Sequence, residues 1–380
     1  MGTQLQSTPA APITFTVPPR ASAGPEPKTR KKVVRRIGKD YSQAIRRTYQ
    51  LAFLALNIWL GAIFYFWVRQ FETGSQQVTI LRPPGVEGWL PIAGMMNLKF
   101  WLLTGRVPPL HPATMFLLLT FVLIAFFFRK AFCSWLCPVG TFSEYLWRSG
   151  RKIFGRNFHI WQWLDIPLRG LKYLLLGFFV WAVSSMSTAS ISSFMRSDYG
   201  LVADVKMLNF FRHLGATGSI VILVLVVASL FIQNFWCRYL CPYGALLGVA
   251  SFLSPLRIRR ETSACIDCAK CAKACPSALP VDQLVTIKSA ECTGCLECVA
   301  VCPAEGALHL STVPLTRATT QRIPTWVMAA GVATLFLGIV GYAKSTGHWQ
   351  SNVPDTTYRE LVPHANEARH PMPGDPGIGN

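Results

Sequence analysis

Five stretches of this 380-residue chain, at about 48–69, 110–129, 171–190, 215–235 and 324–343, are almost wholly apolar. Each is close to the roughly 20 residues a helix needs to cross a hydrocarbon core about 30 Å thick, so all five are expected to span a membrane. Only 14% of residues are charged, against about 25% in a typical soluble domain, and 51% are hydrophobic. An ordinary soluble globule is excluded. The first run follows a 47-residue polar leader and has no small-residue cleavage site behind it, so it reads as a retained anchor rather than a signal peptide.

The 37 Lys and Arg outnumber 18 Asp and Glu, and their placement suggests an orientation. The run Lys28 to Arg47 precedes the first span, and Arg129, Lys130, Arg148, Arg151 and Lys152 follow the second. By the positive-inside rule these segments, and the N-terminus, face the cytoplasm. The leader 1–47, with its "KTRKKVVRR", has the composition of a disordered basic arm. Its charges set topology or attract anionic lipid; no stacking aromatics are interleaved among them, which argues against nucleic acid. The tail 344–380, with Pro354, Pro363, Pro371, Pro373 and Pro376, is expected outside and unstructured.

All 12 cysteines fall in organised groups. Residues 265–276 read CIDCAKCAKACP and 292–303 read CTGCLECVAVCP, two C-x2-C-x2-C-x3-C-P runs of the bacterial two-cluster ferredoxin pattern. Two-residue spacing wraps three thiolates round one cubane, and the fourth Cys reaches across to the other. One [4Fe-4S] cluster is thus expected on Cys265, Cys268, Cys271 and Cys302, and a second on Cys292, Cys295, Cys298 and Cys275. Structural zinc also uses C-x2-C pairs, but does not need the C-x3-C-P continuation twice. Thiolate ligands belong in a reducing compartment, the side to which charge independently assigns 236–323.

The other four cysteines form an internal repeat. FCSWLCPVG (132–140) and WCRYLCPYG (236–244) each follow an apolar run directly. Cys133 and Cys137, like Cys237 and Cys241, stand at i and i+4, which places each pair on one helix face, while Pro138 and Pro242 mark the turn. Three chemistries remain open: ligation of a metal, copper or a third cluster; a redox-active dithiol; and cysteines that merely pack helix ends. His111 and His213 sit at matching outer ends of the two preceding runs. They are either interfacial residues or facing ligands of a haem or quinone. The loop 78–109, with LRPPGVEGWLP and Trp101, either forms part of an aromatic belt or shapes a quinone entrance.

From about 48 to 312 this constellation resembles the NapH/NosR/CcoG-type membrane polyferredoxins, with LCPVG and CRYLCPYGAL most like the C-terminal half of NosR. The resemblance implies a part in feeding or maintaining a respiratory or metalloprotein system through quinol, flavin or copper chemistry, with Cys133, Cys137, Cys237 and Cys241 matching the family's CxxxCP pairs. The expected outside segments are too short for the NosR-type flavin domain, and an immunoglobulin-type C-terminal domain is not expected.

The expected architecture is therefore a mainly α membrane protein. A four-span domain at 48–255 leads into an α+β two-cluster ferredoxin domain at 256–315, then a fifth span at 324–343. The expected function is electron transfer in a bacterial cytoplasmic membrane, as a component of an oxidoreductase system. Electrons would pass between a cytoplasmic or quinone-pool donor and a respiratory or metalloprotein-maturation partner. The rival reading is an assembly factor that reduces Cu(II) at the CxxxCP thiols, since soft thiolates suit Cu(I).

Overall fold

The computed structural model describes residues 34–371, apart from 37, 39, 75–76, 159 and 313–320. Most of the basic arm and the end of the tail lie outside the described residues. Helix α1 (Ser42–Glu72) is followed by a 3-10 turn at Pro84–Trp89 and by α2 (Pro91–Thr104). The apolar run after it forms α3 (Pro112–Phe128), begun by proline at its first position and bounded by left-handed His111 and Arg129. Proline suits that first position because its missing N–H has no helical partner there.

The two CxxxCP repeats follow one plan. In the first, α4 (Ala131–Trp135) precedes α5 (Pro138–Phe154). Then come α6 (Gln162–Ser185), α7 (Thr188–Arg196), α8 (Asp198–Leu201), α9 (Ala203–Arg212) and α10 (Ala216–Phe231). In the second repeat a π-turn at Trp236–Leu240 takes the place of α4 and leads into α11 (Pro242–Phe252). The repeats interlock: α11 packs on α3, the apolar helix of the other repeat, and α5 packs on α10. At the second crossing a Cβ on Gly150 would lie 1.9 Å from Leu230 O, so only glycine permits the approach.

A small antiparallel sheet follows. Strand β1 (Leu256–Arg260) pairs with β2 (Leu308–Thr312), placing Leu256 opposite Thr312 and Arg260 opposite Leu308. Between them lie the short helices α12 (Lys270–Ala274) and α13 (Glu297–Ala300), and β3 (Arg322–Ile323) completes the sheet beside β2. The chain continues as α14 (Trp326–Ser345) and α15 (Asp355–Leu361). The sheet region shares one hydrophobic core with the helices: Ile124 of α3, Trp135, Leu247, Ile258, Ile287, Leu310 and Met328 belong to the same buried cluster.

The expectation of five spans is not met. Among the described residues three helices, α1, α6 and α14, are long and apolar enough to cross a membrane, with a fourth span if α9 and α10, bent by 81° at their junction, count as one. The run at 110–129 yields α3, whose 17 residues reach only about 25 Å. It is also largely enclosed, with Ala113, Ile124 and Ala125 at 0% exposure, so protein rather than lipid surrounds most of it. By contrast Ile58, Trp59 and Phe66 of α1 and Leu174, Phe178 and Trp181 of α6 are exposed. Apolar faces of that extent suit lipid. The chain is a multi-pass, mainly helical membrane protein.

The ends of the chain also differ from expectation. From Val34 the arm lies on the ferredoxin region: Arg36 N donates to Pro303 O at 3.0 Å and Glu305 N to Val34 O at 2.9 Å. The tail is ordered over 349–371, because Tyr358, Val362 and Ala365 bury themselves against Phe64, Trp67 and Phe71. Lys206 Nζ ties it down by donating to the carbonyls of Ala365, Asn366 and Ala368. Proline-rich composition hid one apolar stripe long enough to dock.

Candidate functional site

Both cysteine-rich motifs fold with the same local geometry. The residues flanking the second Cys of each, Asp267 and Ala269 in one, Gly294 and Leu296 in the other, all have positive φ, between 54° and 62°. Two left-handed residues in close succession curl the loop into a cup. The third Cys then stands on a short helix, Cys271 on α12 and Cys298 on α13.

Cys265, Cys268, Cys271 and Cys302 line one small cavity, and Cys275, Cys292, Cys295 and Cys298 line another. The grouping is crossed, each cavity taking its fourth thiol from the other motif. Their surroundings differ. In the first, Cys268 is exposed and Cys265 and Cys302 are half-buried, whereas all four thiols of the second are buried. Burial pushes the Cys275 thiol up to about 11 and Cys295 to about 12. Among the described residues no three His, Cys, Asp or Glu side chains converge tightly enough to hold a single metal ion.

The second cup rests on the first CxxxCP repeat. Ser134 Oγ donates to Thr293 O at 2.7 Å, Trp135 Nε1 to Gly294 O at 3.2 Å, and the Arg129 guanidinium to Ser289 O. Asn234, just before the second repeat, donates to Pro276 O at 3.3 Å and accepts from Ser143 Oγ at 3.2 Å. Beneath this junction lies a cavity of about 770 Å³, lined by all four CxxxCP thiols. It runs past Phe53, Leu60, Phe121 and Phe336 to Pro84, Gly88 and Trp89 of the 78–109 loop. Pro276, Ser277 and Thr293 line both this cavity and the second cup.

Within the repeats, Cys137 and Cys241 cap helices: Cys137 Sγ accepts from Gly140 N at 3.4 Å and Cys241 Sγ from Gly244 N at 3.3 Å. Burial pushes the Cys133 thiol up to about 12 and Cys137 to about 11 even so.

Three ionic groups brace the site. Lys172 Nζ lies 2.7 and 2.6 Å from the two Glu291 carboxylate oxygens, with Lys130 Nζ at 3.5 Å. Burial raises the Glu291 carboxyl, but the two lysines outweigh it and hold it at about 2. Arg46 makes two 2.7 Å bonds to Glu144 and a 3.1 Å bond to Glu297. The third group surrounds His111, which is wholly buried; its Nδ1 lies 3.2 Å from Glu87 Oε1 and its Nε2 3.0 Å from Gly200 O. Both ring nitrogens are thus engaged by protein, while His213 is exposed at the end of α9. The structure does not join the two histidines in one site.

Sequence reasoning missed the Glu144 and Glu291 ion pairs. Lys172 was the available signal, since an ionisable residue inside an apolar run needs a partner.

These features define a membrane-embedded iron–sulfur protein, and comparison with known proteins agrees. A 4Fe-4S binding domain model matches residues 110–157 and again 214–261, and a 4Fe-4S dicluster domain model matches 257–308. The putative electron transport protein YccM of Escherichia coli (strain K12) is 50% identical over 326 residues, 86% of this chain and 91% of YccM. The ferredoxin-type protein NapH of Haemophilus influenzae is 30% identical over 39% of this chain and 48% of its own length, and the regulatory protein NosR of Pseudomonas aeruginosa 30% over 39% and 20%. The chain belongs to the family of membrane 4Fe-4S ferredoxins that includes YccM, NapH and NosR. Its likeness to YccM is the broader, so the expected leaning toward the C-terminal half of NosR gives way to this wider family. No solved structure matches the chain.

Proposed function

We propose that the chain relays electrons between a soluble redox partner and a quinone held in the large cavity, through two [4Fe-4S] clusters in series. Cluster one sits on Cys265, Cys268, Cys271 and Cys302, and cluster two on Cys275, Cys292, Cys295 and Cys298. The exposed edge at Cys268 is where the partner exchanges electrons. Cluster two is the inner station. The observation that carries the reading is the wall of Pro276, Ser277 and Thr293 common to the inner cup and the cavity, which puts the cavity's occupant next to cluster two.

A mostly apolar cavity of about 770 Å³ lies within the size range of small-molecule sites. A quinone exchanges two electrons and two protons, whereas each cluster carries one electron, so the pair passes one electron at a time. On this reading the N-terminus and ferredoxin region face the cytoplasm and the C-terminus lies outside, which the basic segments beside the first apolar runs support.

The test is anaerobic titration of the full chain in liposomes with a quinol of matched potential, followed by EPR of both clusters. Reduction of both clusters by quinol, or of quinone by the dithionite-reduced protein, is expected. Quinone and quinol that leave both signals unchanged, while a soluble dye reduces them, refute the reading. Replacing Gly88, at the cavity wall, with Trp should slow the quinone reaction and spare the dye reaction.

A further inference from the structure

We propose that the end of α5 and the start of α6 form a binding site for anionic phospholipid headgroups. Arg151, Lys152 and Arg156 are its phosphate-binding cations, and the apolar side chains beside them enter the boundary between headgroups and acyl chains.

The depth of the site comes from α6. Its exposed side chains Trp163, Ile166, Leu171, Leu174, Phe178 and Trp181 fall on one helix face by their spacing. From Trp163 to Trp181 this stripe is about 27 Å long, close to the roughly 30 Å of a hydrocarbon core. Trp163 therefore lies at one membrane surface, where tryptophan collects. Helix α5 meets that surface with its C-terminal end. Phe154 and Phe158 pack on Phe231, the last residue of α10, with ring centroids 4.9 and 5.9 Å away, and Phe158 N donates to Phe231 O at 2.9 Å. The segment thus wraps the point where a second apolar helix also ends. Ile153, Trp161 and Leu164 are exposed there and continue the lipid-facing stripe of α6, an apolar apron that suits the acyl boundary.

The charge beside this apron has one sign. From Tyr145 to Leu164 the chain has no Asp or Glu, but carries Arg148, Arg151, Lys152 and Arg156. Arg148 is engaged by Glu144 and Glu297. The other three are exposed and have no acidic partner among the described residues, while Asp165, the next carboxylate along the chain, is buried and held by Arg169 and Arg238. The Arg156 guanidinium stands 5.6 Å over the Phe158 ring, which keeps its charge beside the apron. Phosphodiester oxygens accept from guanidinium and ammonium groups, and cations close to an anionic leaflet each add attraction. A zwitterionic headgroup brings its own cation and gains less. Because α5 begins at Cys137 and carries Glu144, bound lipid also anchors the helix on which the first repeat stands.

The test titrates the full chain in neutral-detergent micelles with phosphatidylglycerol or phosphatidylcholine of the same acyl chains. Bound lipid is read by native mass spectrometry, for the wild type and for Arg151→Gln/Lys152→Gln/Arg156→Gln. The wild type should hold phosphatidylglycerol about tenfold more tightly at low salt. The triple variant should lose most of that preference and keep the ferredoxin EPR signals, its folding control. Equal affinity for the two lipids in the wild type overturns the proposal. So does a triple variant that keeps the full preference, which would assign it to the basic leader. A photoactivatable phosphatidylglycerol in liposomes locates the site without mutation: adducts on wild-type peptides between Arg151 and Ile166 are expected, and adducts confined to other segments overturn the proposal. Each of these outcomes leaves the relay reading untouched.

Discussion

Replacing Glu144 with Gln should destabilise the protein by about 3 kcal/mol. Arg46 is 1% exposed, and both its terminal nitrogens bond Glu144 at 2.7 Å. Two unit charges about 4 Å apart attract by about 4 kcal/mol at an effective dielectric of 20, and breaking a buried pair by removing one member costs about 3–5 kcal/mol. Glu297 remains at 3.1 Å from Arg46, which places the loss at the lower end. That is about a hundredfold in the unfolding equilibrium, readable by denaturant unfolding in micelles through tryptophan fluorescence. Arg46→Met with Glu144→Leu removes both charges, and Glu297 keeps Arg148 at 2.9 Å, so the double variant should lose less than Glu144→Gln alone. A loss under about 1 kcal/mol for Glu144→Gln, or a double variant worse than the single, would refute the reasoning. The network ties α1, α5 and α13 together, and Gln43 beside it donates to Cys295 O at 3.0 Å; the EPR lines of cluster two should therefore shift in Glu144→Gln.

Other outcomes follow from the same geometry. Cys302→Ser should abolish the EPR signal of the solvent-facing cluster and Cys275→Ser that of the buried one; the reverse assignment would undo the crossed grouping. Glu291 has its carboxyl lowered, so its stabilisation is complete above about 4.5 and vanishes as pH falls through about 2. The stability gap between wild type and Glu291→Gln should close over that window, and a gap that widens on acidification would contradict it. Tyr358, 4% exposed and edge-on to Trp67 at 4.9 Å, should cost about 3 kcal/mol when cut to Ala and open the 349–371 segment to limited proteolysis. Gly140→Ala must displace the Cys133 carbonyl and should change the alkylation rates of Cys133 and Cys137, measured by mass spectrometry, without touching the ferredoxin signals.

The local chemistry of the cysteine motifs was legible from spacing alone, because a tight loop and the helix behind it obey short-range rules: which residues turn, which cap, which face together. The prolines after Cys137 and Cys241 were read as marking a turn, and in the structure each opens the helix that follows it. Apolar runs likewise announced helices. Whether each run meets lipid or protein is a property of its neighbours, so α3 read as a span although it is the enclosed axis of the helical core.

Contacts between distant segments were beyond any pattern in the chain. Arg46 and Glu144 stand 98 residues apart, and Arg46 and Glu297 251 apart; nothing local distinguishes a charge that will be buried from one that solvent will screen. His111 read either as an interfacial residue or as a cofactor ligand, and the structure instead gives both its ring nitrogens protein partners. The amino-acid sequence by itself determined which residues can carry sulfur chemistry and where the chain turns beside them. Only the tertiary structure decided that one cup is open and the other closed, and that both repeats face a single cavity, because accessibility and convergence arise from how separately formed elements pack against one another.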